Sequence, residues 1–191
     1  MTSEPFRTRT FAAVPAHLRP HKTRRGVRVV VTDGASVLLF HDTDPGVPGS
    51  RWWITPGGGM DPGETEAQTA VRELAEETGL IAEESALIGP VMRRVVLHGY
   101  SDQVCEQTES FYVLRAERFE VDISGHTADE QQTIAGHAWL PLDELDRQSE
   151  PVWPAGLAAL VASAPDPQSW PGDIGLVEES TVPVSPPRPL P

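Results

Sequence analysis

The chain is predicted to fold as an α/β (α+β) protein, with helices packed against a mixed, partly antiparallel central sheet. Three observations predict it. β-Branched runs are separated by hairpin turns, one capped helix interrupts the run of strands, and a last strand is followed by short helical segments.

Val27-Arg28-Val29-Val30-Val31 is a strand, Asp33-Gly34 is a hairpin turn, and Ser36-Val37-Leu38-Leu39-Phe40 is the returning strand. Residues 41–50, rich in Pro and Gly, read as a loop before the short strand Trp52-Trp53-Ile54. A helix starts near Thr65 and stops at Gly79, a C-terminal glycine. Leu87–Leu97 and Val104–Ala116 are two long strands joined across Gly99–Asp102. On the second, Glu109, Phe111 and Val113 share one face and Tyr112 and Leu114 the other. Residues 120–136 read as a polar loop, Ala138-Trp139-Leu140 as the final strand, and Pro141–Arg147 and Trp153–Ala164 as helices.

Three regions follow: a basic N-terminal arm over 1–25, a single domain over 26–164, and an extended tail over 165–191, where eight of 27 residues are proline. The net charge of −13 argues against general nucleic-acid binding, which needs a basic surface. That charge is uneven, since residues 1–30 carry seven Arg or Lys against Glu4 alone, leaving −19 to the rest. The arm is either a solvated tail or a phosphate-facing or partner-binding segment. With one cysteine, Cys105, the chain has no internal disulfide and fits a reducing, cytoplasmic setting. No apolar run is long enough to span a membrane, and the N-terminus lacks the apolar core of a secretion signal. A homodimer is left open.

Residues 57–80 carry the most chemistry. At about 100° per residue, Glu76 and Glu77 fall roughly 60° and 40° to either side of Glu73, beside a stripe containing Ala67, Val71, Leu74 and Thr78. Three carboxylates on one helical face repel by only a few tenths of a kcal/mol per pair. On their own they describe a solvated face as well as a cation site. The flanking pattern decides between the two: Gly58-x5-Glu64-x7-Arg72-Glu73-Leu74-x-Glu76-Glu77-x-Gly79-Leu80 would arise by chance about once in a billion starts.

This pattern resembles the Nudix box at every specified position, and the order of elements over roughly 25–162 is similar to the family's α/β/α sandwich. The resemblance implies a hydrolase that cleaves a pyrophosphate bond in a nucleoside diphosphate linked to a group X, or in a nucleoside triphosphate. Its cofactor would be Mg²⁺ or Mn²⁺, and its partner a small nucleotide. Glu76 and Glu77 would be the principal metal ligands, Glu73 a further ligand or a base acting through water, and the Gly57 carbonyl an additional ligand. Arg72 would orient the glutamates, and Glu64 would brace the loop against the helix between Gly58 and Gly79. The chemistry suits these residue types: Mg²⁺ takes oxygen ligands while keeping waters and bridging phosphates, and it acidifies a bound water for attack on phosphorus. Gly57, Gly58 and Gly59 let backbone approach without side-chain obstruction.

The family often draws a further glutamate from the loop before the last core strand. Here Glu130, ahead of Asp129, is the candidate ligand or general base, the alternative being a solvated acid. Glu109 either lines the pocket or pairs with an arginine. One of Trp52 and Trp53 belongs to the core while the other is placed to stack on a nucleobase. Arg28 and Arg51 are candidate phosphate contacts. Two other readings are weaker. A nucleotide sensor without turnover usually has an eroded box or an added DNA-binding domain, and a diphosphate isomerase needs a cysteine and histidine set not found here. The group X is not marked: the proline of ADP-ribose enzymes would fall at Val96, and the tyrosine of dinucleoside polyphosphate enzymes is not matched by Tyr100.

Overall fold

The computed structural model describes residues 9–184. Its strands are β1 (His21–Thr32), β2 (Ser36–Asp42), β3 (Trp52–Ile54), β4 (Gly57–Gly59), β5 (Ile88–Gly99), β6 (Val104–Arg115), β7 (Ile134–Pro141), β8 (Val152–Trp153) and β9 (Gly172–Glu178). Its α-helices are α1 (Glu66–Thr78), α2 (Glu130–Thr133) and α3 (Leu157–Ser163).

All the strands join one mixed sheet whose spine is the parallel pair β1 and β6, in register from His21↔Val104 to Thr32↔Arg115. On one side β5 runs antiparallel to β6, and on the other β2 pairs antiparallel with both β3 and β7. The glycine strand β4 lies antiparallel on β1, opposite Gly26–Arg28. A central strand is covered on both faces, which explains why Val27 and Val29–Val31 are all apolar rather than alternating. Val27, Val29 and Val31 pack with Leu38, Tyr112 and Leu114 under Ala70 and Leu74 of α1. Val30, Val37, Leu39, Phe111 and Val113 pack on the opposite face with Leu157, Leu160 and Val161 of α3. Each fully buried aliphatic side chain contributes roughly 1.5–3 kcal/mol, so these two layers hold α1 on one face of the sheet and α3 on the other.

Helix α1 begins and ends where its capping residues direct. The Thr65 side chain accepts the Gln68 N–H while Gln68 accepts the Thr65 N–H, a reciprocal box that satisfies two otherwise orphaned donors. At the other end Gly79 turns left-handed at φ 72°, and an added Cβ would lie 2.8 Å from that of Asp122.

The chain ends differ from their sequence expectation. Residues 21–25 are no arm, because they form the first part of β1, paired with β6. Their alternating exposed and half-buried polar side chains carry no apolar signal, so only the backbone pairing identifies the strand. Likewise the proline-rich stretch after 164 is not simply extended, since Gly172–Glu178 adds to β5 as a parallel edge strand. Beyond it, the buried Glu179 carboxylate receives Nη1 and Nη2 of Arg94 at 2.6 and 2.7 Å. Within the predicted arm and tail, residues 1–8 and 185–191 lie outside the described residues.

The Glu179 carbonyl also anchors a histidine. It accepts from Nδ1 of His98 at 2.7 Å, which places the proton there and leaves Nε2 bare, buried and unpartnered. Burial pushes the His98 imidazole down to about 4, with Arg28 and Arg94 pressing the same way and Glu109 opposing. A depressed folded value means that the unfolded chain takes up the proton first as pH falls. The contribution of His98 is therefore complete above about 6.5 and is lost as pH falls through about 4. The urea midpoint should decline across that interval, with His98 adding up to about 1.4 kcal/mol per pH unit to the slope. His98→Phe should flatten the decline; an unchanged slope would show that His98 is not its source.

Candidate active site

The site lies where α1 crosses the glycine strand. Gly57 has φ 133°, and a Cβ there would stand 2.1 Å from the Val27 carbonyl oxygen, so no other residue fits. Its N–H donates to Oε2 of Glu77 at 2.7 Å, tying strand to helix. Its carbonyl accepts from Nη1 of Arg28 at 3.1 Å, as does that of Thr55 at 3.2 Å.

Arg72 organises the other side of the turn. Its Nε and Nη2 hold the two oxygens of Glu64 at 2.7 and 2.9 Å, while Nη2 also reaches the Gly59 carbonyl at 3.0 Å. Its Nη1 donates to Glu73 at 3.0 Å and to Glu76 at 3.1 Å. Glu64 in turn accepts the Asp61 N–H and the Thr69 hydroxyl, so one carboxylate links loop, arginine and helix. The Arg72 hydrogen bond, with those partners, draws the Glu64 carboxyl down to about 2, and Glu64 correspondingly raises Arg72.

Glu73, Glu77 and Glu130 bring one carboxylate oxygen each to within 4.8 Å of one another. They are only 3%, 6% and 9% exposed. Three negative charges so close and so shielded from water call for a cation, and hard oxygen donors suit Mg²⁺ or Mn²⁺. The donor set therefore fits the metal that the box implies. Glu130 reaches the cluster because Thr127 and Glu130 form a second reciprocal box, Thr127 N–H to Oε2 at 2.8 Å and Glu130 N–H to the threonine hydroxyl at 3.3 Å. The Thr-x-x-Glu spacing at 127–130 is the sequence signal for this turn within the stretch read as loop.

Two clefts meet at the cluster. The smaller, about 130 Å³, is bordered by Glu77, Glu130 and Arg28, and the larger, about 830 Å³, by Glu64, Arg72, Glu73 and Glu76. Arg24 and Asp129 border both.

The remaining sequence candidates fall elsewhere. Glu76 stands outside the three-carboxylate group, half exposed and paired with Arg72. Glu109 lines no cleft: it is wholly buried and accepts from Arg28 at 2.9 Å, Arg94 at 2.8 Å and Gln107 at 2.6 Å. The two guanidinium groups outweigh burial and hold its carboxyl down at about 2. Neither tryptophan lines the clefts, because both rings are taken up in packing. Trp52 is buried against Trp153 at 4.9 Å, and Trp53 stacks on His41 at 4.5 Å. Arg51 is exposed and borders neither cleft. Asp42 and the cations Lys22 and Arg24, which do line the smaller cleft, were not singled out by motif.

A mixed sheet sandwiched between helices, with a glycine turn feeding a helix whose carboxylates gather beside a cleft, defines the class of protein. The chain belongs to the NUDIX family: the NUDIX domain model matches residues 22–161. It is 34% identical over 97 residues to a putative mutator protein MutT4 of Mycobacterium tuberculosis, covering 51% of this chain and 36% of that protein. It is 43% identical over 65 residues to a putative 8-oxo-dGTP diphosphatase of Bacillus subtilis, covering 34% and 40%. With the rat bis(5'-nucleosyl)-tetraphosphatase it shares 30% identity over 107 residues, covering 56% and 65%. The chain thus spans less than two thirds of the length of these relatives. Among solved structures, a MutT NUDIX hydrolase from Burkholderia pseudomallei has the same fold, with TM-score 0.52 and 20% identity over 75% of this chain and 98% of that one.

Proposed function

We propose that this protein is a divalent-metal-dependent pyrophosphohydrolase. It would act on a nucleoside diphosphate linked to a second group, or on a nucleoside triphosphate, by attack of water on phosphorus. The observation that carries this reading is the meeting of Glu73, Glu77 and Glu130 within 4.8 Å, at the junction of two clefts. Two of the relatives, one named a putative 8-oxo-dGTP diphosphatase and the other a bis(5'-nucleosyl)-tetraphosphatase, are both named for action on a nucleotide phosphate chain.

Glu73, Glu77 and Glu130 would hold Mg²⁺ or Mn²⁺, which when bound offsets phosphate charge and makes water acidic enough to attack. Arg72 keeps Glu73 and Glu76 turned toward the larger cleft, while the Gly57 N–H keeps Glu77 turned toward the cluster. Glu130 or Glu73 would take the proton from the attacking water. Arg24, which borders both clefts, would meet the phosphates between them. The single buried, free cysteine suits a reducing, cytoplasmic setting, and among the described residues no helix is long and apolar enough to cross a membrane.

A panel of nucleoside diphosphate derivatives and nucleoside triphosphates, each with Mg²⁺, Mn²⁺ or chelator, tests the reading. Release of a nucleoside monophosphate that stops with chelator is expected. Absence of metal-dependent turnover across the panel would refute it.

A further inference from the structure

We propose that residues Arg9–Phe11, which precede the matched NUDIX domain, form the specificity wall of the smaller cleft, and that its occupant is the planar base of a nucleotide, with Asp42 at its edge. This rests on the pyrophosphohydrolase reading and adds to it which end of the substrate lies where.

The segment is built into place. Asp102, at the β5–β6 turn and 6% exposed, accepts Nε and Nη2 of Arg9 on one oxygen, at 3.1 and 2.9 Å. Its other oxygen accepts the backbone N–H groups of Thr10 and Phe11, at 2.9 and 3.1 Å. Arg9 also reaches Asp44 at 3.0 Å, and Asp44 accepts the N–H and hydroxyl of Ser101 at 2.6 Å and the hydroxyl of Thr181 at 2.9 Å. Two buried carboxylates thus gather the N-terminal segment, the β5–β6 turn and the chain after β9. Both the first and the last of these lie outside residues 22–161. Phe11 is held at φ 52°, a conformation that a bulky side chain rarely adopts and that its surroundings must enforce.

The wall this creates faces a cleft suited to a ring. Phe11, Phe40 and Tyr100 border it, with Asp42 at the end of β2. Two of its cations are already committed, Arg9 to Asp44 and Asp102, and Arg28 to Glu109 and two backbone carbonyls. Neither of these two is therefore offered to a phosphate chain, although Lys22 and Arg24 border the cleft as well. Glu77 and Glu130 stand at its border, so a base bound there would leave its phosphates at the carboxylates and its second group in the larger cleft. Burial raises the Asp42 carboxyl above its ordinary value, favouring a form that both donates to and accepts from a base edge.

Titration calorimetry of the whole 191-residue chain with nucleoside monophosphates, and with inorganic pyrophosphate as the base-free control, tests the assignment. Phe11→Ala should weaken monophosphate binding about tenfold, the scale of one aromatic–base contact, and leave pyrophosphate binding unchanged. Asp102→Asn, which loosens the clasp without removing a ring, should move monophosphate affinity in the same direction, and Asp42→Asn should reorder preference among the bases. If monophosphates bind the parent no tighter than pyrophosphate, or if Phe11→Ala and Asp102→Asn leave monophosphate affinity and base order unchanged, the assignment is overturned. Binding is read without turnover, so failure of hydrolysis on the substrate panel counts against the pyrophosphohydrolase reading alone.

Discussion

Glu77→Gln should lose at least about a hundredfold in metal-dependent turnover while the fold is retained, the loss expected when reacting groups are misplaced by about an ångström. The substitution is nearly isosteric, and the glutamine carbonyl oxygen can still accept the Gly57 N–H that now lies 2.7 Å from Glu77. What disappears is one of three charges gathered within 4.8 Å. Two such charges repel by roughly 3.5 kcal/mol or more at an effective dielectric of 20, before counter-charges. Without metal, therefore, the variant should melt no lower than the parent and can melt higher. Thermal melts with chelator, set beside initial rates with Mg²⁺, separate the two effects. Turnover at the parental rate would remove Glu77 from the site.

The largest stability effect is expected at Glu109→Ala. Glu109 is the buried centre of a chain of charges, Arg28–Glu109–Arg94–Glu179, that crosses the sheet from the glycine turn to the segment after β9. Removing it strips the carboxylate from Arg28, which keeps its hydrogen bonds to the Thr55 and Gly57 carbonyls, and leaves Arg94 to Glu179. Deleting one member of a buried ion pair costs about 3–5 kcal/mol, because the partner charge stays behind without compensation. In a chain of this length that corresponds to roughly 6–20 °C in melting temperature. Arg28 also holds the Gly57 carbonyl, so turnover per folded molecule should fall as well. A shift below about 2 °C would show that the network contributes little.

What was readable in the sequence, and what was not, follows from the range of the interactions. Helix α1 was legible because its signals are local: Thr65 and Gln68 cap one end, Gly79 closes the other, and the apolar stripe repeats with the helix. Val27 and Val29–Val31 were legible as a strand for a similar reason, although their burial on both faces needed α1 and α3 to be in place. Thr127-x-x-Glu130 is equally local, but a single turn lacks the apolar repeat of a longer helix and has the composition of a loop.

Long-range pairing was harder to read. Residues 21–25 have the side chains of a solvated arm, and only hydrogen bonds to β6, more than 80 positions away, make them a strand. The same holds for β9 against β5. Glu109 shows the limit most clearly. Alternation placed it on a strand face, but whether a cleft or two guanidinium groups met it depended on Arg28 and Arg94, on two different strands. The box identified the acidic face of α1. It did not distinguish Glu73 and Glu77, which turn into the cluster, from Glu76, which pairs with Arg72 at its rim.

That distinction makes Mn²⁺ binding the most direct measurement of the site, because the ion is seen by its own electron paramagnetic resonance whether or not a substrate is known. Titrated into the parent chain, Mn²⁺ should be bound, and Glu77→Gln and Glu130→Gln should each weaken that binding at least about tenfold, the minimum expected even for a residue that only supports a ligand. Binding by Glu130→Gln at the parental affinity would contradict the account, because it would separate the metal from the carboxylates that the fold brings together.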